Sequence, residues 1–311
     1  MPSVEDLVER LLAGNRRALS RLLTVIENDA PEGRRALRLL YPRSGRAHTI
    51  GLTGAAGSGK STLSAAMARE VRRRGRTLGI VAIDPTSPFS QGALLGDRIR
   101  MQDLTSDPEV FLRSMATRGN MGGLAPATAG VVTALDAFGK DAVIVETVGA
   151  GQDEVDVAVM ADTTVVVLTP GAGDDVQAMK AGIMEIADIL VVNKCDLPNA
   201  DLLARQLASI VDAFPAARRT PILKTTGARE EGIDALLDAI DEHRAYIEAS
   251  QVRDKHRREQ ARHQVLTLAR QRLIDDVVAR HGTDGRLDEL VERVTRREID
   301  PHSAADELIR P

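Results

Sequence analysis

Residues 49–62 read T-I-G-L-T-G-A-A-G-S-G-K-S-T, an apolar run that turns through glycines into a segment of helix-forming residues. Gly54, Gly59, Lys60 and Ser61 fill every fixed position of the G-x-x-x-x-G-K-[ST] pattern, and the apolar run supplies the strand that this pattern needs before it. Such a stretch commits the chain to a strand, a tight turn and a helix in immediate succession. The chemistry follows from the backbone. A helix N-terminus exposes unpaired N–H groups and the positive end of its dipole, so a loop wound around a β-phosphate satisfies both partners. Gly54, Gly57 and Gly59 allow close approach, with Ser58 and Thr62 completing the cradle. Lys60 is expected to reach the β- and γ-oxygens and the Ser61 hydroxyl to coordinate Mg²⁺. The bland alternative is a glycine-rich turn with no ligand, and the loop alone does not name the nucleotide.

With 311 residues, 43% of them hydrophobic, the chain can bury a sizeable core as one α/β domain with appendages or as two domains. A net charge of -4 gives no electrostatic reason to expect nucleic acid, and 2% aromatic content without tryptophan removes stacking platforms for single strands. No run approaches the roughly 18 apolar residues of a membrane span, and the N-terminus is charged and amphipathic, unlike a signal peptide. The single cysteine, Cys195, excludes an internal disulfide framework and fits a reducing compartment. The expectation is a cytoplasmic protein with no nucleic-acid or membrane partner.

Taken in order, residues 3–28 carry apolar side chains at helical spacing, with Ser3 and Asp6 set as a capping box and Gly14-Asn15 breaking the run into two helices. A third helix is expected over 32–41, ended by Pro42. These helices pack on the nucleotide domain or offer a partner surface. After the phosphate loop, a helix over 61–74 ends at Gly75, and a strand over 77–83 delivers Asp84 to the carboxyl edge, where open α/β sheets hold ligands. Asp84 is a candidate to support Mg²⁺ or its water; read alone, it is an ordinary strand-ending turn. Residues 89–101, F-S-Q-G-A-L-L-G-D-R-I-R-M, have the glycines and the carboxylate, Asp97, of a loop that orders around Mg²⁺ and a γ-phosphate. The strand over 142–145 runs into Glu146, with Gly149 three positions later, the form of a nucleotide-sensing loop. Glu146 is placed to hold Mg²⁺ through water and the Gly149 N–H to meet the γ-phosphate. Gln152 either orients the attacking water or is a solvated loop amide.

The strand over 189–192 ends in Asn193-Lys194-Cys195-Asp196. A carboxylate at Asp196 accepts both the ring N–H and the exocyclic amine of guanine, whereas adenine presents an acceptor where that ring N–H would be. Lys194 lies along the base plane and Asn193 ties neighbouring loops. Thr225 and Thr226 occupy the place of the last base loop, though not as the usual small-residue pair. Beyond 250 the composition turns strongly charged, with a helical apolar stripe through Val265, Leu266, Leu268, Ala269, Leu273 and Val277. The expected architecture is therefore α/β: a mostly parallel sheet flanked by helices over 48–249, a helical extension over 1–47 and a helical arm over 250–311. That arm docks on its own domain or on a second subunit.

The runs G-A-A-G-S-G-K-S-T, D-P-T-S-P, G-A-L-L-G-D-R-I-R-M, E-T-V-G-A-G-Q-D-E, P-G-A-G-D-D-V-Q and N-K-C-D together resemble the MeaB/ArgK family of P-loop GTPases, bacterial relatives of the human methylmalonic aciduria type A protein. The resemblance covers nearly the whole chain. It implies a homodimeric GTPase that accompanies an adenosylcobalamin-dependent acyl-CoA mutase, typically methylmalonyl-CoA mutase, gating cofactor loading and protecting the enzyme. It sets Lys60, Ser61, Asp84, Asp97 and Glu146 on phosphate and Mg²⁺ positions, and Asn193, Lys194 and Asp196 on guanine. The chain departs from the family at Ala55-Ala56, where a proline is common, and at Thr225-Thr226. It has no D-x-H-x-x-G motif, so no cobalamin is expected on this chain. No arginine finger stands out, although Arg98, Arg100 and Arg118 are available, and slow intrinsic turnover is expected. Rival readings are a nickel-type GTPase metallochaperone, a P-loop kinase and a nucleotide-dependent scaffold without hydrolysis.

Overall fold

Short apolar runs buried on both faces build the sheet. The computed structural model describes residues 2–84, 102–116, 126–147, 153–171, 186–213, 218–250, 252–281 and 285–309. Its strands are β1 (His48–Thr53), β2 (Leu78–Asp84), β3 (Val110–Ala116), β4 (Ala142–Thr147), β5 (Thr163–Leu168), β6 (Ile189–Val192) and β7 (Ile222–Lys224). They pair in one seven-stranded, all-parallel sheet of order β3-β2-β4-β1-β5-β6-β7. Parallel strands need helical crossovers that cover both faces, which is why they read as continuous Val, Ile and Leu. In β5, Val165 and Val167 join one core layer, while Val166 and Leu168 join the other.

Three helices precede the sheet: α1 (Val4–Leu12), α2 (Arg16–Glu27) and α3 (Pro31–Leu40). Ser3 caps α1 by accepting from Asp6 N at 3.1 Å, and Asn15 caps α2 by accepting from Ala18 N at 3.0 Å. Both caps satisfy orphan amides at the points where the sequence pattern breaks. Then come α4 (Lys60–Arg73), α5 (Gln102–Thr105), α6 (Pro126–Ala137), α7 (Asp153–Met160), α8 (Ala200–Ala213) and α9 (Ile233–Ala249). Helices α4 and α9 cover one face of the sheet; α6 and α7 cover the other. Leu11, Leu19, Leu22, Leu23 and Leu40 are fully buried with Val131, Ala134 and Leu135 of α6, so the leading helices share the core instead of standing off it. Each such leucine contributes on the order of 1.5–3 kcal/mol.

The chain divides into two compact units, Met1–His256 and Arg257–Pro311. The second holds most of α10 (Val252–His281) together with α11 (Arg286–Thr295) and α12 (Pro301–Ile309). Within it, Arg293 Nη1 donates to Glu307 Oε2 at 2.9 Å and Arg286 Nη2 to the Glu307 carbonyl at 2.7 Å, joining α11 to α12. Among the described residues no helix is long and apolar enough to cross a membrane.

The amino ends of the strands are stitched by aspartates. Asp141, Asp162 and Asp188 each precede a strand, and each accepts the backbone N–H of a threonine at the start of a neighbour: Thr77 at 2.7 Å, Thr49 at 2.8 Å and Thr164 at 2.8 Å. A polar chain then crosses the same edge. His48 Nε2 lies 2.8 Å from Thr163 Oγ1, which lies 2.8 Å from His243 Nδ1, and His243 Nε2 lies 3.3 Å from Asp188 Oδ1. One hydroxyl serves two imidazoles, so the protons have a direction. With Asp188 ionised, His243 donates from Nε2, the Thr163 hydroxyl donates to His243 Nδ1, and His48 Nε2 donates to Thr163.

Burial pushes His243 down to about 4 and Asp188 up to about 6, and it lowers His48 against the opposing pull of Asp162. The two shifts bear on stability with opposite signs. The His243 contribution is present above the ordinary histidine value of 6.5 and is lost as pH falls through about 4. That of Asp188 is present below the ordinary 3.8 and is lost as pH rises through about 6. Relative to wild type, Asp188→Asn should therefore gain stability as pH rises from 4 to 7, and His243→Gln should gain as pH falls from 6.5 to 4. Urea midpoints of the three proteins across this range check both slopes.

Candidate nucleotide-binding site

Strand β1 lies between β4 and β5, so the crevice beyond its carboxyl end sits where the winding of the sheet changes direction, the usual place for a ligand in an open α/β fold. The phosphate loop fills that position. Gly54 has φ 136°, and a Cβ there would stand 2.1 Å from the Val167 carbonyl oxygen, so the loop can leave β1 only through a glycine. Gly59 caps α4 at φ 92°, where a Cβ would meet Asn193 Nδ2 at 2.6 Å. Lys60 is buried and donates from Nζ to the carbonyls of Gly54, at 2.7 Å, and Ala55, at 2.9 Å. Its ammonium thus lies across the loop that it is expected to serve. Gly57 carries a positive φ of 79°, Ser58 is fully buried, and Thr62 is half-buried on α4.

One residue further along α4, Ser61 Oγ donates to Glu146 Oε1 at 2.5 Å. Glu146 sits inside β4, opposite Leu52 of β1, and is 4% exposed. Sequence spacing ends this strand at 145 and sets Glu146 just past it; β4 runs two residues further, to Thr147, whose Oγ1 donates to Thr53 Oγ1 at 3.3 Å. Ser61 and Glu146 are thus brought together from sequence positions far apart. Asp84 ends β2, but its side chain lies outside the described residues, as do Asp97, Gly149 and Gln152 entirely, with Arg98, Arg100 and Arg118.

The third motif arrives on β6. Asn193 Nδ2 donates to the Ser58 carbonyl at 2.9 Å, and its Oδ1 accepts from Thr225 Oγ1 and from Gly227 N, each at 3.1 Å. Lys194 adopts a left-handed φ of 58° and donates from Nζ to the Gly57 carbonyl at 2.7 Å. Asp196 is partly exposed and lies 3.7 Å from Arg229 Nη2. Thr225 and Thr226 are buried, and Thr225 N donates to the Val192 carbonyl at 2.9 Å, which seats their loop beside the motif. Gly227 is the residue of this loop that the sequence did not single out. Its contribution is a backbone N–H, which no residue-type pattern reveals. Burial raises the Cys195 thiol above its ordinary value, and the thiol donates to the Val192 carbonyl at 3.1 Å, so it is a packed neighbour.

A phosphate loop, a strand-borne carboxylate against its serine and an N-K-x-D turn tied to both define the class of P-loop GTPases. The chain belongs to the MeaB family: the family model described as methylmalonyl Co-A mutase-associated GTPase MeaB matches residues 19–282. A protein of Pyrococcus abyssi that carries the provisional name of GTPase is 45% identical over 99% of this chain and 96% of its own. The mitochondrial methylmalonic aciduria type A homolog of Caenorhabditis elegans is 30% identical over 99% of this chain and 83% of its own. A solved LAO/AO transport system kinase superposes with a TM-score of 0.74 at 24% identity, covering 98% of this chain and 96% of that one, and shows the same fold.

Asn193 is the test of whether these loops form one site. Asn193→Ala removes the partner of the Ser58 carbonyl, Thr225 Oγ1 and Gly227 N together. At about 1–3 kcal/mol for each buried group left unsatisfied, GDP affinity should fall at least about tenfold, measurable by calorimetry.

Proposed function

We propose that the crevice beyond β1 holds GTP with Mg²⁺ and hydrolyses it slowly, and that the nucleotide state governs binding to an adenosylcobalamin-dependent acyl-CoA mutase, methylmalonyl-CoA mutase first. The observation that carries the nucleotide half is the Asn193 tie between the phosphate loop and the N-K-C-D turn. The mutase half is supported by the description of the matching family model and by the name of the Caenorhabditis elegans relative.

The residues divide the work. Lys60, now on the carbonyls of Gly54 and Ala55, exchanges them for β- and γ-oxygens, which carry more charge. Backbone N–H groups at the start of α4 meet the β-phosphate. Ser61 and Glu146 are hard oxygen donors side by side, the donor type that Mg²⁺ takes, and they would hold it with water in the remaining positions. When bound, the ion neutralises charge that builds on the β- and γ-oxygens during transfer to water. Asp84 and Asp97 are proposed to support the ion, the Gly149 N–H to donate to the γ-phosphate, and Gln152 to orient the water. Asp196 selects guanine, with Lys194 along the base plane and Thr225 and Thr226 closing the edge.

The proposal extends to assembly. On α10, Val265, Leu273 and Ile274 are 65%, 65% and 58% exposed, and Leu266, Leu268 and Val278 are also open. A second copy of the chain is the proposed cover, with the dimer formed through this arm and cobalamin carried by the mutase alone.

Lys60→Ala should abolish GTP hydrolysis in a phosphate-release assay; wild-type turnover would refute the site. Asp196→Asn offers the base one donor and one acceptor, the complement of xanthine, so preference should move from GTP to XTP by at least about tenfold. The mutase half is checked by affinity capture from extract with a GTP analogue or GDP present. Nucleotide-dependent recovery of an acyl-CoA mutase, with faster GTP turnover on adding it, is the expected result. Sedimentation of Leu266→Glu combined with Leu273→Glu should show monomers where wild type shows dimers.

A further inference from the structure

Helix α4 holds the loop that follows β7 as well as the phosphate loop. Gly227 and Arg229 bound a short 3-10 turn whose Gly227 lies against the backbone of Leu63, one turn into α4. Two residues further on, Thr226 and Glu231 exchange backbone hydrogen bonds, at 3.1 and 3.3 Å, and close the loop on itself. Between them stands Glu230, in the left-handed region at φ 57°. A non-glycine residue there is strained unless something offsets it.

The offset comes from α4. Arg69 Nη1 donates to Glu230 Oε1 at 3.0 Å and Arg73 Nη2 to Glu230 Oε2 at 3.2 Å, so each carboxylate oxygen is held by a different guanidinium. Arg69 is itself oriented by Asp103 of α5, which accepts from its Nε at 2.7 Å, and this contact raises Arg69 above its ordinary value while lowering Asp103. The neighbour of Glu230 in the chain is Arg229, whose Nη2 lies 3.7 Å from Asp196. Holding Glu230 therefore also holds the turn that borders the base carboxylate.

Such pairs lie near the surface, Glu230 being 33% exposed and Arg69 35%, and pairs of this kind add little to global stability. What they determine is position. A nucleotide bridges two subsites at a fixed span, so a base loop free to shift against α4 loses affinity for the guanosine end alone. We propose that Glu230, gripped by Arg69 and Arg73, is the positioning residue that registers loop 225–231 to the phosphate helix and thereby sets the affinity for guanine nucleotides. It rests on the reading of Asp196 and its neighbours as the guanine site.

The test uses the full chain with Glu230→Gln, which keeps size and backbone demands, and Arg69→Gln combined with Arg73→Gln. GDP affinity, competition by inorganic pyrophosphate, GTP turnover and urea midpoints are measured on each. Glu230→Gln should weaken GDP about three- to tenfold and raise KM for GTP by the same factor, with kcat within about twofold. Pyrophosphate, which occupies only the phosphate loop, should bind as in wild type. Adding Glu230→Gln to the arginine pair should cost nothing further, because the partners act through each other. Unchanged GDP affinity, equal losses for GDP and pyrophosphate, or additive losses would each overturn the proposal. Asp196→Asn separates the two readings. If it keeps wild-type GDP affinity, the guanine assignment falls and the positioning role falls with it. If it loses GDP while Glu230→Gln does not, only the positioning role falls.

Discussion

One amide joins three pieces of backbone. Asn193 gives its donor to the Ser58 carbonyl and its acceptor to Thr225 and Gly227, so the phosphate loop, the turn after β6 and the loop after β7 are parts of a single object. None of the three has a reason to stay put by itself. Loops expose backbone groups that must find partners, and here the partner is a buried side chain 2% exposed at the carboxyl end of β6. The close glycines are consequences of the same arrangement, since Gly59 is where the amide passes and Gly54 is where the chain slides past Val167.

The sheet determines what the amide can reach. Because every strand runs the same way, each chemical motif falls at a carboxyl end, and the order of strands brings the ends of β1, β4 and β6 round one crevice. Helix α4 then serves two roles. Its first turn continues the phosphate loop, and its later turns, through Arg69 and Arg73, hold Glu230 in the loop after β7. The helices ahead of β1 add a core layer behind α6, so the face opposite α4 is backed by packed leucine.

What could be read from the residues was whatever depends on consecutive positions. The phosphate loop and N-K-C-D are runs of neighbours whose backbone is local, and the leading helices announce themselves through leucines at helical spacing, the Ser3 cap and the Gly14-Asn15 break. A mostly parallel sheet followed from alternation of apolar runs with helical ones, and the structure makes every pairing parallel. Contacts across long separations were not legible. His48, Thr163 and His243 come from β1, β5 and α9, and nothing local marks them as neighbours. Gly227 acts through a backbone N–H that every residue but proline carries. Glu230 looks like a charged loop residue until the side of α4 that faces it is known.

The aspartates before the strands look equally ordinary, yet they bear on a weakness of this kind of sheet. A strand of Val and Ile buried on both faces can move along its neighbour by two residues and still present apolar side chains to both layers. Such a move displaces whatever the strand carries by roughly 6–7 Å, enough to part Ser61 from Glu146 or Asn193 from Ser58. Hydrophobic burial scarcely opposes it. Asp141, Asp162 and Asp188 each find one particular amide on the neighbouring strand, and a shifted strand would present them with the wrong one. The sheet is in effect indexed at the edge remote from the crevice. Accuracy at the crevice is thus inherited from polar contacts a whole strand length away.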